Sequence, residues 1–142
     1  MTTAVETYQA FQWVYSRCTN DTALMALATG GVWEGTADLG VVAPYVAYQQ
    51  QASPDVNTMN AIRIFTRKTM QIKAVGPTKQ YSILAQMAAR IDTLFKDERN
   101  IPLAVGGILA CYRTDEIAYP DSVNGESWSH IGGLYIIELQ GS

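Results

Sequence analysis

The chain has a single histidine, His130. A Ser-His-Asp or Cys-His site would have to use it, because no second imidazole exists to act as the base. Ser129 is its neighbour in sequence, and consecutive side chains on a strand point to opposite faces. His130 therefore reads as a packing or surface residue. Carboxylates are paired at Asp97-Glu98 and Asp115-Glu116. On a strand such pairs point apart, and at a helix end they are solvated, so neither makes an acid–base couple. Asp115, Glu116 and Asp121 could offer oxygen to a hard cation, but their spacing is not that of a calcium loop. Cys18 and Cys111 are far apart in the sequence and fit no metal or redox spacing. They read as buried thiols in a reducing compartment. Gly30-Gly31 precedes no phosphate-cradling helix, and neither GxGxxG nor GxxxxGK[ST] occurs. These residues point to no catalytic, cofactor or metal site, and the chain reads as a non-enzyme.

Charge is the stronger signal. Residues 56–91 contain no acid, yet they hold Arg63, Arg67, Lys68, Lys73, Lys79 and Arg90, six of the ten bases. Residues 1–55 carry one base against five acids, and residues 92–142 three against eight. Such sorting suits a protein that meets copies of itself or a polyanion. Three readings of the basic stretch stay open: a solvated sheet face, a subunit interface facing an acidic patch, or contact with nucleic-acid phosphates. Single-strand binding would want aromatic platforms, and only Phe65 shares the basic parity.

The elements that would position these groups follow from periodicity. A length of 142 residues with 48% hydrophobic content fits one domain, 1–142. The N-terminus has no basic region ahead of an apolar run, so no secretory signal is read. No stretch has the roughly 18 apolar residues that cross a bilayer, so no membrane partner is expected. Residues 3–18 read as a helix whose stripe is Ala4, Tyr8, Phe11, Tyr15 and Cys18, widened by Trp13 and Val14. A short helix at 21–28 follows, capped by Asn20 or Asp21 and stopped at Gly30-Gly31. Val32 to Val42 reads as a loop or brief strand, Pro44 opens a strand, and Ser53-Pro54-Asp55 is a turn. From Asn60 to Val75 the pattern alternates. Ile62, Ile64, Thr66, Lys68, Met70, Ile72 and Ala74 share one parity. Arg63, Phe65, Arg67, Thr69, Gln71, Lys73 and Val75 share the other, polar and basic one. Either two strands or one bent strand would satisfy it. A long helix at 78–97 carries the stripe Leu84, Met87, Ala88, Ile91, Leu94 and Phe95. Strands at Ala104–Arg113 and Trp128–Gln140 each contain a double glycine, and 114–127 is a polar excursion, hairpin or flap. The fold class expected is α+β: a mainly antiparallel sheet of about four to six strands flanked by helices.

Read in order, these pieces resemble the tail-completion, or tail-terminator, proteins of long-tailed bacteriophages. The likeness runs over residues 20–140. It covers the helix Asp21-Thr-Ala-Leu-Met-Ala-Leu-Ala, then Gly30-Gly-Val-Trp-Glu-Gly, then Ala43-Pro-Tyr-Val-Ala-Tyr. It continues through Ile64-Phe-Thr-Arg, Met70-Gln-Ile-Lys-Ala-Val-Gly, the helix Ile83 to Phe95 and a last strand ending at Leu139. The resemblance implies a virion protein, made in the host cytoplasm, that forms a ring, typically a hexamer, at the head-proximal end of the tail. Its partners would be itself, the tail tube protein and a neck or connector protein, with DNA passing through the lumen. Combined with the charge pattern, it nominates an interface of Arg63, Phe65, Arg67, Lys68, Lys73, Trp33, Asp115 and Glu116. The segments Trp33–Val42 and Asp115–Ser127 would order on docking. The alternatives are another neck or head-completion adaptor ring, or a small ligand-binding or enzymatic α+β dimer with a pocket around Tyr112, Arg113 and His130.

Overall fold

The computed structural model describes residues 3–38, 40–52, 55–57, 63–103 and 106–140; for residues 3–6, 55–57, 63 and 64 it describes the backbone alone. The Ser53-Pro54 turn, the strand start at Asn60–Ile62 and the strand start at Ala104 lie outside the described residues. The chain runs α1 (Thr3–Thr19), α2 (Thr22–Leu27), β1 (Val32–Glu34), β2 (Tyr45–Ala52), β3 (Asp55–Asn57) and β4 (Arg63–Pro77). A 3₁₀ turn (Thr78–Gln80) leads into α3 (Tyr81–Phe95), followed by β5 (Asp97–Pro102), β6 (Gly107–Val123) and β7 (Glu126–Gln140). The class is α+β, as the periodicity predicts.

All seven strands form one sheet in the order β1-β2-β4-β7-β6-β5, with β3 also on β4. Among the described residues, only β1 and β2 pair in parallel; every other described pairing is antiparallel. β2 covers Thr69–Val75 of β4 and β3 covers Arg63–Thr66, so these two strands lie end to end along one side of β4. β7 lines the other side without a register break from Thr66–Leu139 to Pro77–Trp128. The alternating run is thus one long strand.

α3 forms where the stripe predicts, with Leu84, Met87, Ile91, Leu94 and Phe95 buried. Asp21 caps α2, its carboxylate accepting from the Leu24 amide at 2.9 Å. α1 corrects the sequence reading. Its buried side is Ala10, Trp13, Val14 and Cys18, while Tyr8 and Tyr15 are 61% and 48% exposed. This helix carries apolar residues on two sides, and the partner surface chooses between them. Trp13 meets Phe95 edge-on at 5.4 Å, and Phe95 meets Tyr135 at 5.9 Å. One core cluster joins α1 and α3 to a single sheet face, through Val46, Tyr48, Met70, Ile72, Ala74, Ile131, Tyr135, Ile137 and Leu139.

Three short strands lie outside the long periodic elements, and Val32–Glu34 is the brief strand that was one of the two readings of 32–42. Asp97–Pro102 is an edge strand, not a helix end and a loop, because α3 stops at Phe95 and the chain turns onto β6. Val32–Glu34 and Asp55–Asn57 are strands too short to show a period. The excursion 114–127 is the outer part of the β6–β7 hairpin. Its turn is Asn124-Gly125, both at positive φ (52° and 79°), the geometry of a two-residue hairpin turn.

Candidate assembly surfaces

Two sheet faces must be separated before any interface residue can be placed. On β4 the parity of Thr66, Lys68, Met70, Ile72 and Ala74 faces the helices, and all five are fully buried. Lys68 therefore points into the core side, where its ammonium donates to Thr7 Oγ1 at 3.0 Å. It cannot reach a neighbouring subunit, which corrects its assignment to a basic interface. Burying an ammonium is costly unless it is paired and hydrogen-bonded, so its surroundings are fixed by that need.

The opposite parity is the basic one, but it is less open than a solvated face. Gln71, Lys73 and Val75 are buried there (8%, 7% and 2% exposed). Lys73 donates to the Tyr119 hydroxyl at 2.6 Å and lies over that ring at 5.2 Å. Tyr119 stacks on His130 with centroids 4.6 Å apart and planes 13° apart. His130 Nε2 in turn meets Asp121 Oδ2 at 3.0 Å. This chain of contacts ties β4, β6 and β7 together at the root of the hairpin. Room for the Lys73 stem comes from Gly132, its cross-strand partner. A Cβ there would lie 2.5 Å from Lys73 Cα and collide with the Ile72 carbonyl oxygen. Lys73 is thereby an internal strut and is not offered to a partner, a second correction. Burial pushes the His130 pKa below its ordinary value, with nearby Lys73 acting in the same sense and Asp121 opposing. The imidazole is neutral, with Nε2–H donated to Asp121, and buried Nδ1 has no hydrogen-bond partner among the described residues.

Arg67 remains partly open, its side chain 43% exposed, and pairs across the strands with Glu138 at 3.0 Å. It also lies over Phe65 at 5.9 Å. Arg63 stands on the same parity at the start of β4, with only its backbone described. Trp33 is half-buried in β1, its indole N–H donating to the Gly30 carbonyl at 2.7 Å. Asp115 and Glu116 are exposed in β6. The structure does not gather the nominated residues. Trp33 lies near one side of the sheet and Asp115-Glu116 near the other, with β4 between them.

The segment charges are largely paired within the fold. Arg17 meets Glu98, Arg90 forks onto Asp21 at 2.6 Å, and Lys79 approaches Glu126 at 3.7 Å. What stays unbalanced is the hairpin arm. Residues 114–127 hold Asp115, Glu116, Asp121 and Glu126 with no base of their own. Beside the arm runs a groove of about 340 Å³ between α3 and β6, with Ala85, Ala88 and Ala89 on one wall and Arg113 and Glu116 on the other. Tyr81, 50% exposed, stands at its end. The alanines at 85, 88 and 89 were its only trace in the sequence, and their spacing reads equally well as helix propensity.

Tyr112, Arg113 and His130 do not converge: His130 lines a pocket of about 230 Å³ with Tyr81, Tyr119 and Ser129, and Arg113 lines the groove between α3 and β6. Arg113 turns to Asp92 on α3 at 3.5 Å, whereas His130 belongs to the Lys73 chain on the other face. Among the described residues, no three His, Cys, Asp or Glu side chains are grouped as metal ligands would be. Cys18 and Cys111 are buried, and burial pushes the Cys18 thiol up to about 12.

No protein-family model and no curated protein matches this chain. Among solved structures, a chain from the virion of a native gene transfer agent particle superposes with a TM-score of 0.73 at 14% identity, over 90% of this chain and 92% of that one. A second solved chain gives a TM-score of 0.50 at 17% identity, over 93% and 94% of the two lengths. At these identities the likeness is one of fold: this chain is similar in its whole architecture to a chain of a gene transfer agent virion.

Proposed function

We propose that this protein is a structural component of a phage-like virion, and within it a tail terminator. It forms a ring that caps the tail tube and joins the tail to the neck. The observation that carries the reading is the fold likeness over nine-tenths of the chain to a gene transfer agent virion protein. Its order of elements also resembles the tail-terminator family. Of the residues nominated from sequence, Trp33, Phe65 and Arg67 are partly exposed and Asp115 and Glu116 exposed, so these five remain accessible enough to serve in subunit or tube contacts. A ring needs unlike surfaces that meet head to tail, and the acidic arm on one side of the sheet supplies one of them.

The test is electron microscopy of particles made without this protein. Tails of uncontrolled length are expected, because nothing would stop tube growth. Tails of normal length beside tailless or leaking heads would move the protein to the adaptor position in the neck. Normal, joined particles would end the virion reading.

A further inference from the structure

The sheet ends in two backbone edges that no described residue covers. β5 pairs with β6 only as far as Tyr112, so Arg113 to Val123 has β7 on one side and no described strand on the other. Across the sheet, β1 pairs with β2 only at Val46–Tyr48. Gln49–Ala52, continued by β3, is held by β4 alone. An open edge presents unpaired N–H and C=O groups that template another strand. Pro120 has no N–H and ends the usable part of the β6 edge.

We propose that the β6 edge Arg113–Tyr119 of one copy pairs with the β2–β3 edge of a second copy, so that one sheet continues from subunit to subunit. This rests on the ring reading and names its contact. Three observations select this occupant. First, the two edges lie on opposite sides of the sheet and at opposite ends. The β6 edge flanks the Pro77 end of β4 and the β2–β3 edge flanks the Arg63 end. Joining them is a head-to-tail contact, the kind that closes into rings. Second, pairing β6 with itself would set Asp115 and Glu116 of two copies side by side, and like charges across a ladder destabilise it. Third, the receiving edge offers uncharged Gln49, Gln50 and Gln51, with half-open Arg67 on the adjacent strand. An acidic strand can lie along Gln49–Gln51, and Asp55, at the start of β3, is the one acid of the receiving edge. The groove between α3 and β6 would then be closed by the arriving subunit.

The test is thiol crosslinking. Cys18 and Cys111 are buried (0% and 1% exposed), so added cysteines react alone. Asp115→Cys, Gln49→Cys and the double variant are treated with a short bis-maleimide, in purified protein and in assembled particles. Mass in solution and far-UV circular dichroism are recorded for each. The double variant is expected to yield a ladder of covalent multimers, and each single variant only monomer. Covalent dimers from Asp115→Cys alone would overturn the proposal in favour of a twofold contact. Assembled protein that gives no ladder would overturn the edge pairing and leave the ring intact. Protein that is monomeric in every setting, particles included, would overturn the ring reading along with it.

Discussion

Lys68 and His130 are both ionisable residues whose roles are set by what surrounds them. Lys68 sits between Thr66 and Met70 on the helix-facing side of β4 and is fully buried. Its charge belongs to the fold's internal bonding, so a surface inventory that includes it overstates the basic face. His130 is held neutral by burial at the root of the arm. Its folded pKa is depressed below the ordinary 6.5, so the unfolded chain takes up the proton first on acidification. The stability this supplies is complete above 6.5 and is lost as the pH falls from there through the folded value. Asp121 and Asp21, both lowered from 3.8 mainly by hydrogen bonds to His130 and Arg90, act in a separate, more acidic window. Urea denaturation between about pH 7 and pH 5 should therefore show declining stability, and His130→Gln should flatten that decline. Equal slopes in the two proteins would show that His130 keeps its ordinary pKa when folded.

At the scale of elements, the close pairing of β7 with β4 explains the double glycine Gly132-Gly133 that the sequence displays without a reason. Gly132 lies opposite Lys73 where the backbones approach too closely for a Cβ, and a Cβ at Gly133 would meet the Arg113 side chain at 2.9 Å. These two contacts differ in kind. The first obstacle is backbone far inside contact distance; the second is the flexible Arg113 stem, with the Asp115 carbonyl oxygen and the Tyr135 ring each at 3.0 Å, where a shift of a few tenths of an ångström suffices. Gly132→Ala is expected to destabilise the protein by about 3 kcal/mol or more, by overpacking against a fixed ladder. Gly133→Ala should cost clearly less. Chemical denaturation of both variants distinguishes them, and a Gly132→Ala protein as stable as its parent would show that the strands can separate. α1 teaches a related lesson. Tyr8 and Tyr15 are spaced like core residues but face outward, since Trp13 and Val14 fit the Phe95 side of the core better than they would fit water.

At the scale of the whole molecule, charge sorted along the chain becomes charge mostly cancelled in space. Arg17, Arg67, Lys79 and Arg90 each find a carboxylate from a distant segment. Exposed pairs of this kind add little to stability, but they offset four bases, of which Arg67 keeps its side chain 43% exposed. The acidic arm is what remains, and it stands where the open strand edge lies. Asp115→Lys combined with Glu116→Lys should leave the monomer's melting temperature within about 3 °C, since both side chains are exposed. The same variant should fail to assemble, because it would bring new cations toward Arg67 of the next copy. Sedimentation read beside thermal melting checks both halves. Assembly at the parent's concentration would show that the arm's charge plays no part.

Much of the architecture was legible before any coordinates. The stripe Leu84, Met87, Ile91, Leu94, Phe95 specifies α3, and alternation from Phe65 to Val75 specifies a strand, because each pattern outlasts several periods of its element. Asp21 marks a helix start through its own short side chain. The strands Asp55–Asn57 and Asp97–Pro102 were not legible, and Val32–Glu34 only as a loop or brief strand, since they are edge pieces created by pairing and lack a period of their own. The interface was legible only as residue types: a run without acids and a run rich in them. Which bases are struts, which are paired and which stay free was decided by strand register, as Lys68, Lys73 and Arg67 show. One residue along β4 changes the face of the sheet, and cross-strand neighbours come from segments far apart in the chain. Local sequence therefore fixes the elements, while the surface those elements present exists only after they have met.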